Sequence, residues 1–243
     1  MKFRSAVAGT ALTLISTGIC AADDDWKGEA ELGVLITSGN TDESNLNGRL
    51  GLTHEVEKWR NQGELRSLYS STGGVTTSER YSATGETDYK FSKRQFWFLR
   101  GAHDTQRFSG YDYRSSLTTG YGNRVWRTGE RSFLDLTIGA GYRYNRLDQP
   151  NEDGQRSEDE AIGRLGGQLD YALSPNALFR QKLSTEVGFE AQNTTTESET
   201  SLQATVVNNL SMKVAYRLKH ISNPPPGTAN TDTETSLSLL YGF

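Results

Sequence analysis

The stretch Leu237-Ser238-Leu239-Leu240-Tyr241-Gly242-Phe243 puts apolar side chains at every second position and finishes on Phe243, with Tyr241 two residues before it. A period of two sends successive side chains to opposite faces of a strand. One apolar face ending in aromatic residues is how the closing strand of an outer-membrane β-barrel reads. Leu239, Tyr241 and Phe243 are therefore expected to form the signal that the barrel-assembly machinery recognises during insertion.

The opposite end agrees with that address. Lys2 and Arg4 precede a mostly apolar stretch over 5–19, and Cys20-Ala21-Ala22 offers small residues ahead of Asp23-Asp24-Asp25. This is the layout of a secretory signal peptide, so 1–22 is expected to be cleaved and 23–243 to form the outer-membrane β-barrel domain. Ile19 is too bulky for the position before a lipidated cysteine, which argues against an anchor at Cys20. Cleavage after Ala22 removes the sole cysteine, leaving stability to packing or to a closed hydrogen-bond ladder.

Composition narrows the class. The chain is 34% hydrophobic and 23% charged, with a mean hydropathy of -0.64. Beyond the leader no run approaches the ~20 apolar residues a membrane helix needs, whereas a barrel strand needs only about ten, half of them polar. Removing Lys2 and Arg4 from the 26 basic residues leaves 24 against 30 acidic, a formal charge of -6, which argues against a nucleic-acid partner.

The alternation recurs along the chain. Trp26, Ala30, Leu32, Val34 and Ile36 share one face against Lys27, Glu29 and Glu31, and after the turn 37–42 Leu46, Leu50, Leu52 and Val56 oppose Asn45, Asn47, Arg49 and Glu55. It returns over 80–91, 131–144, 161–173, 177–190, 198–208, 210–221 and 232–243. The segments 60–70, 95–107 and 115–126 have the right length but a weaker pattern, and Phe96-Trp97-Phe98-Leu99 is apolar on both faces. These add up to an all-β, transmembrane, antiparallel up-and-down barrel of about 12 strands. Short connections near 57–60, 92–94, 127–130, 174–176 and 208–209 alternate with long ones near 37–43, 71–79, 109–114, 145–160, 191–197 and 222–231, as periplasmic turns and extracellular loops do. An even strand count puts both termini in the periplasm.

The polar faces predict a lumen holding Arg49, Arg66, Arg100, Arg124, Arg143, Arg164, Arg180, Lys182, Lys213 and Arg217 with Glu29, Glu31, Glu64, Glu86, Asp88, Asp104, Asp135, Asp170, Glu186 and Glu199. Two signs in near balance point to paired charges filling a narrow barrel more than to an ion-selective pore, which carries one dominant sign. The connection 145–160 carries six carboxylates, but their spacing matches no calcium loop and they are expected to be solvated. His54 and His103 read as interfacial side chains. No cofactor is expected, and the expected partners are outer-membrane lipids and lipopolysaccharide.

An enzymatic alternative rests on His220-Ile221-Ser222-Asn223, which resembles the His-x-Ser-Asn element of outer-membrane phospholipase A and of lipid A deacylases. The resemblance implies Ser222 as nucleophile, His220 as base and Glu234 as the orienting acid. Strand parity puts His220 on the lipid-facing row of Met212, Val214, Tyr216 and Leu218, but turns Glu234 inward, so the acid would need a bulge to reach the ring.

Ser38-Gly39-Asn40-Thr41, Trp59-Arg60, Ser222-Asn223-Pro224-Pro225, Asp232-Thr233 and Tyr241-Gly242-Phe243 together resemble the YdiY-like family of salt-induced outer-membrane proteins, a domain-of-unknown-function family. The similarity spans nearly all of 23–243. It implies an outer-membrane location in a Gram-negative bacterium and an association with salt or osmotic stress, and it brings no established active site. The expected role is an envelope structural component or a narrow passive channel.

Overall fold

Period-two alternation, broken at intervals by glycine and polar clusters, folds into strands throughout the computed structural model, which describes residues 25–37, 43–107, 109–151, 154–190 and 193–243. Twelve strands follow in order: β1 (Trp26–Thr37), β2 (Glu43–Glu55), β3 (Trp59–Thr72), β4 (Val75–Lys90), β5 (Gln95–Arg107), β6 (Tyr111–Thr128), β7 (Ser132–Leu147), β8 (Ser157–Ser174), β9 (Ala177–Gly188), β10 (Thr194–Val207), β11 (Leu210–Ile221) and β12 (Thr231–Gly242). Each pairs antiparallel with its chain neighbours, and β1 pairs with β12, which closes the barrel and leaves no sheet edge. The leader and the Ser38 to Thr41 turn lie outside the described residues.

β1 begins and β12 ends at one end of the barrel, here the terminal end, with the connections 56–58, 91–94, 129–131, 175–176 and 208–209. The seam is fastened there by Gly28 N donating to Phe243 O at 2.7 Å and Phe243 N donating to Gly28 O at 2.9 Å.

At the far end the long connections expected over 71–79, 109–114 and 191–197 are shorter than the sequence implied. β3 and β4 run on until only Gly73 and Gly74 remain between them, at φ +57° and +79°, a left-handed conformation that glycine adopts without strain. The physical reason is visible in Ser70, Ser71, Thr72, Thr76, Thr77 and Ser78. Where strands leave the apolar band the hydrophobic alternation fades, but the backbone ladder continues. Likewise 145–147 and 157–160 belong to β7 and β8, so Glu158, Asp159 and Glu160 sit on a strand and not in a loop.

The outer wall is apolar: Leu32 (58% exposed), Ile138 (59%) and Leu237 (58%) are among many large hydrophobic side chains turned outward. Aromatic pairs border it, with Trp59 against Tyr89, Trp126 stacked on Tyr171 and Tyr113 on Tyr144. The interior is the reverse, with buried Asp88, Arg143, Glu160 and Lys213. Apolar side chains enter it at two levels. Phe96 and Phe98 turn inward near the terminal end, while Tyr111, Leu147 and Ile221 form a cluster near the far end.

Candidate functional site

The alternation that points leucine and valine at lipid points the intervening charged residues at one another across the lumen. Near the terminal end Arg60 Nε donates to Asp88 Oδ2 at 2.6 Å, and Arg124 grips Asp135 through Nε (2.6 Å) and Nη2 (2.7 Å). A two-pronged pairing of this kind fixes both side chains in orientation. The same arginines cover rings, Arg60 at 5.0 Å from the Phe96 centroid and Arg124 at 4.2 Å from that of Phe133. Phe96 lies flat over Gly122, where any Cβ would occupy the space of the ring.

The middle layer joins distant parts of the chain. Arg49 bonds Glu29 (2.7 Å) and Glu64 (2.8 Å), and Arg66 bonds Glu64 and reaches across to Glu199 at 2.9 Å. Lys213 donates to Glu31 at 3.1 Å and to Glu199 at 3.3 Å, while Arg217 donates to Glu199 at 2.9 Å. Ser238 Oγ donates to Glu31 at 2.6 Å, adding β12 to the network. Toward the far end Arg143 bonds Glu160 and donates to Asn193 O at 2.8 Å, Arg164 bonds Glu186 at 2.8 Å, and Lys219 bonds Asp104 at 2.6 Å. A cavity of about 80 Å³ remains between these groups, lined by Arg100, Asp104, Arg114, Arg164, Glu186, Glu197 and Lys219 among others. At the far mouth, outside the wall, burial and then the neighbouring Asp112 push the Asp148 carboxyl above its ordinary value.

The lumen-facing charges read from strand parity do meet there: Arg100 with Glu86 (3.4 Å), Arg180 with Asp170 (2.7 Å) and Arg124 with Asp135 are pairs between neighbouring strands. Arg60, Arg114 and Lys219 join them: Arg60 stands where a connection and a strand segment overlap in the sequence, Arg114 falls in an expected connection, and Lys219 continues the inward row of Lys213 and Arg217. Phe96 and Phe98 are lumen residues that the alternation does not assign, although apolarity on both faces of 96–99 is their signal.

The hydrolase residues do not converge. His220 Nδ1 lies 2.8 Å from Thr231 Oγ1, and Ser222 Oγ accepts from the Thr194 amide at 2.8 Å. Glu234 stays in regular register opposite Arg217 and points into the lumen, 3.8 Å from its Nη1, with no bulge to turn it outward. His54 stacks on Trp26 at 4.6 Å, and His103 lies 5.5 Å from Tyr113, both among the outer aromatics. Among the described residues no His, Cys, Asp and Glu cluster has the geometry to hold a metal. Leu239, Tyr241 and Phe243 all face outward, with the last two rings stacked at 6.3 Å.

Comparison with known proteins agrees with this geometry. The uncharacterized protein YdiY of Escherichia coli (strain K12) is 28% identical over 245 residues, which span 98% of this chain and 92% of that protein. The COG4313 outer membrane channel from Pseudomonas putida F1 superposes with a TM-score of 0.51 at 14% identity, over 90% of this chain and 95% of that one, a likeness of fold. The family profile described as "Protein of unknown function, DUF481" matches residues 30–243, from the first strand to the terminal Phe243, and the chain belongs to that family.

Proposed function

We propose that this barrel is a structural component of the outer membrane whose lumen is filled and passes no solute. The observation that carries this reading is the burial of apolar side chains inside the barrel at two levels. Phe96 (5% exposed) and Phe98 (2%) lie in the lumen near the terminal end, and Tyr111, Leu147 and Ile221 lie in it near the far end, with cross-lumen ion pairs between them. A pore needs a continuous polar path, and the cavity between the two levels, lined by Arg100, Arg114 and Arg164, measures about 80 Å³. In this reading the termini face the periplasm, the far end meets lipopolysaccharide, and the apolar wall contacts lipid. The association with salt or osmotic stress belongs to the same envelope role.

The test is conductance of the refolded barrel in a planar bilayer, after heat-modifiable gel mobility has established that the barrel has formed. A folded and silent protein is expected. Stepwise currents would overturn the scaffold reading in favour of a narrow passive channel. The reading is non-enzymatic, since His220, Ser222 and Glu234 each have other partners. Phospholipid or lipid A deacylation that is present in the wild type and lost in Ser222→Ala would reverse it.

A further inference from the structure

Arg114 enters the lumen from the far end of β6 and is 9% exposed. Its Nε donates to Asn145 Oδ1 at 3.2 Å and its Nη2 to Thr195 Oγ1 at 2.9 Å, both neutral acceptors, and its guanidinium lies 5.0 Å from the Tyr111 ring centroid. Among the described residues it makes no ion pair. The carboxylates around it face other cations: Asp104 at 2.6 Å and Glu197 at 3.7 Å share the single ammonium of Lys219, and Glu186 pairs with Arg164 at 2.8 Å. A lysine so placed could shed its proton, but a guanidinium in a protein does not. A buried permanent charge without a counter-charge is costly.

The lumen cavity opens at this residue. Its volume of about 80 Å³ is several times the roughly 10–15 Å³ that one water requires. Arg100 and Arg164 face it beside Arg114, as do Ser116 and Ser184. Arg100 holds its own carboxylate, Glu86, only at 3.4 Å. We propose that this cavity binds one small monovalent inorganic anion of chloride size, which supplies the charge that Arg114 lacks, with Arg100, Arg164 and the two serine hydroxyls completing its shell. The carboxylates in the same wall, Asp104, Glu186 and Glu197, would repel a polyanion. A cation would leave Arg114 uncompensated. The inference is independent of whether the lumen conducts.

Two measurements test it. In crystals of the refolded barrel soaked in sodium bromide, an anomalous bromide peak is expected against the Arg114 guanidinium inside the barrel; bromide confined to the outer surface would overturn the proposal. In solution, thermal midpoints are compared in sodium chloride and sodium gluconate at equal ionic strength. The midpoint is expected to rise saturably with chloride and not with gluconate. Arg114→Gln should abolish the difference, as should Ser184→Val, which fills the cavity and leaves every charge in place. Equal midpoints in the two salts, or a chloride response retained by both variants, would overturn the site. If neither variant folds, the bromide density in the wild type decides.

Discussion

Lys213 shows what single residues contribute inside this barrel. Its ammonium, 4% exposed as a residue, lies between Glu31 of β1 and Glu199 of β10, so one side chain neutralises carboxylates from strands on either side of the β11–β12 hairpin. Lys213→Met is expected to lower unfolding stability by about 3 kcal/mol, the low end for stripping one partner from a buried pair, because Arg49 and Ser238 still reach Glu31. Adding Glu31→Gln to Lys213→Met should recover part of that loss. Urea unfolding followed by far-UV circular dichroism checks both, and losses that simply add would mean the two residues are not coupled. The hydrolase residues also belong to this scale. His220 and Ser222 are close in sequence, yet each already has a hydrogen-bond partner of its own.

At the scale of elements, two strands have distinct roles. β5 breaks the barrel's face rule, since Trp97 and Leu99 face lipid while Phe96 and Phe98 face the lumen. The double change Phe96→Ala/Phe98→Ala removes two buried rings, each expected to cost about 3–5 kcal/mol. If these rings are the closure, it should also turn a silent barrel into one with measurable conductance; a variant that folds and stays silent would place the barrier elsewhere. β12 carries the seam. Its register with β1 runs only from Glu29 opposite Gly242 to Leu32 opposite Leu239, continued by the mutual bonds of Gly28 and Phe243. Deleting Phe243 removes those two bonds and the ring stacked on Tyr241. It is expected to lower the amount of heat-modifiable barrel in the outer membrane, and unchanged levels on immunoblots would count against an assembly role for this residue.

The molecule as a whole is a protein turned inside out, with charge at its centre and hydrocarbon at its surface, and each face enforces the other. A one-residue slip of any strand would carry arginine and glutamate into lipid and leucine into the charge network. Ile138, outward and near the middle of β7, tests this from the lipid side: Ile138→Lys is expected to cost about 2–4 kcal/mol in bilayer-reconstituted unfolding, and a neutral result would mean the wall is not in hydrocarbon at that height. Strand count, facing and closure on β12 were legible in the sequence because period-two alternation is local and lipid enforces it at every strand. The far-end strand extensions were not, since serine and threonine outside the apolar band leave no alternation to read even while the ladder continues. Parity could assign Glu31, Lys213, Arg66 and Glu199 to the lumen but could not say which meet, because Lys213 and Glu31 are separated by 182 residues and Arg66 and Glu199 by 133. The sequence by itself determined which face a side chain takes wherever apolar and polar residues alternate. Only closure of the barrel decided which charges pair, which rings turn into the lumen and which arginine is left facing a cavity, because those distances depend on the curvature and stagger of all twelve strands at once.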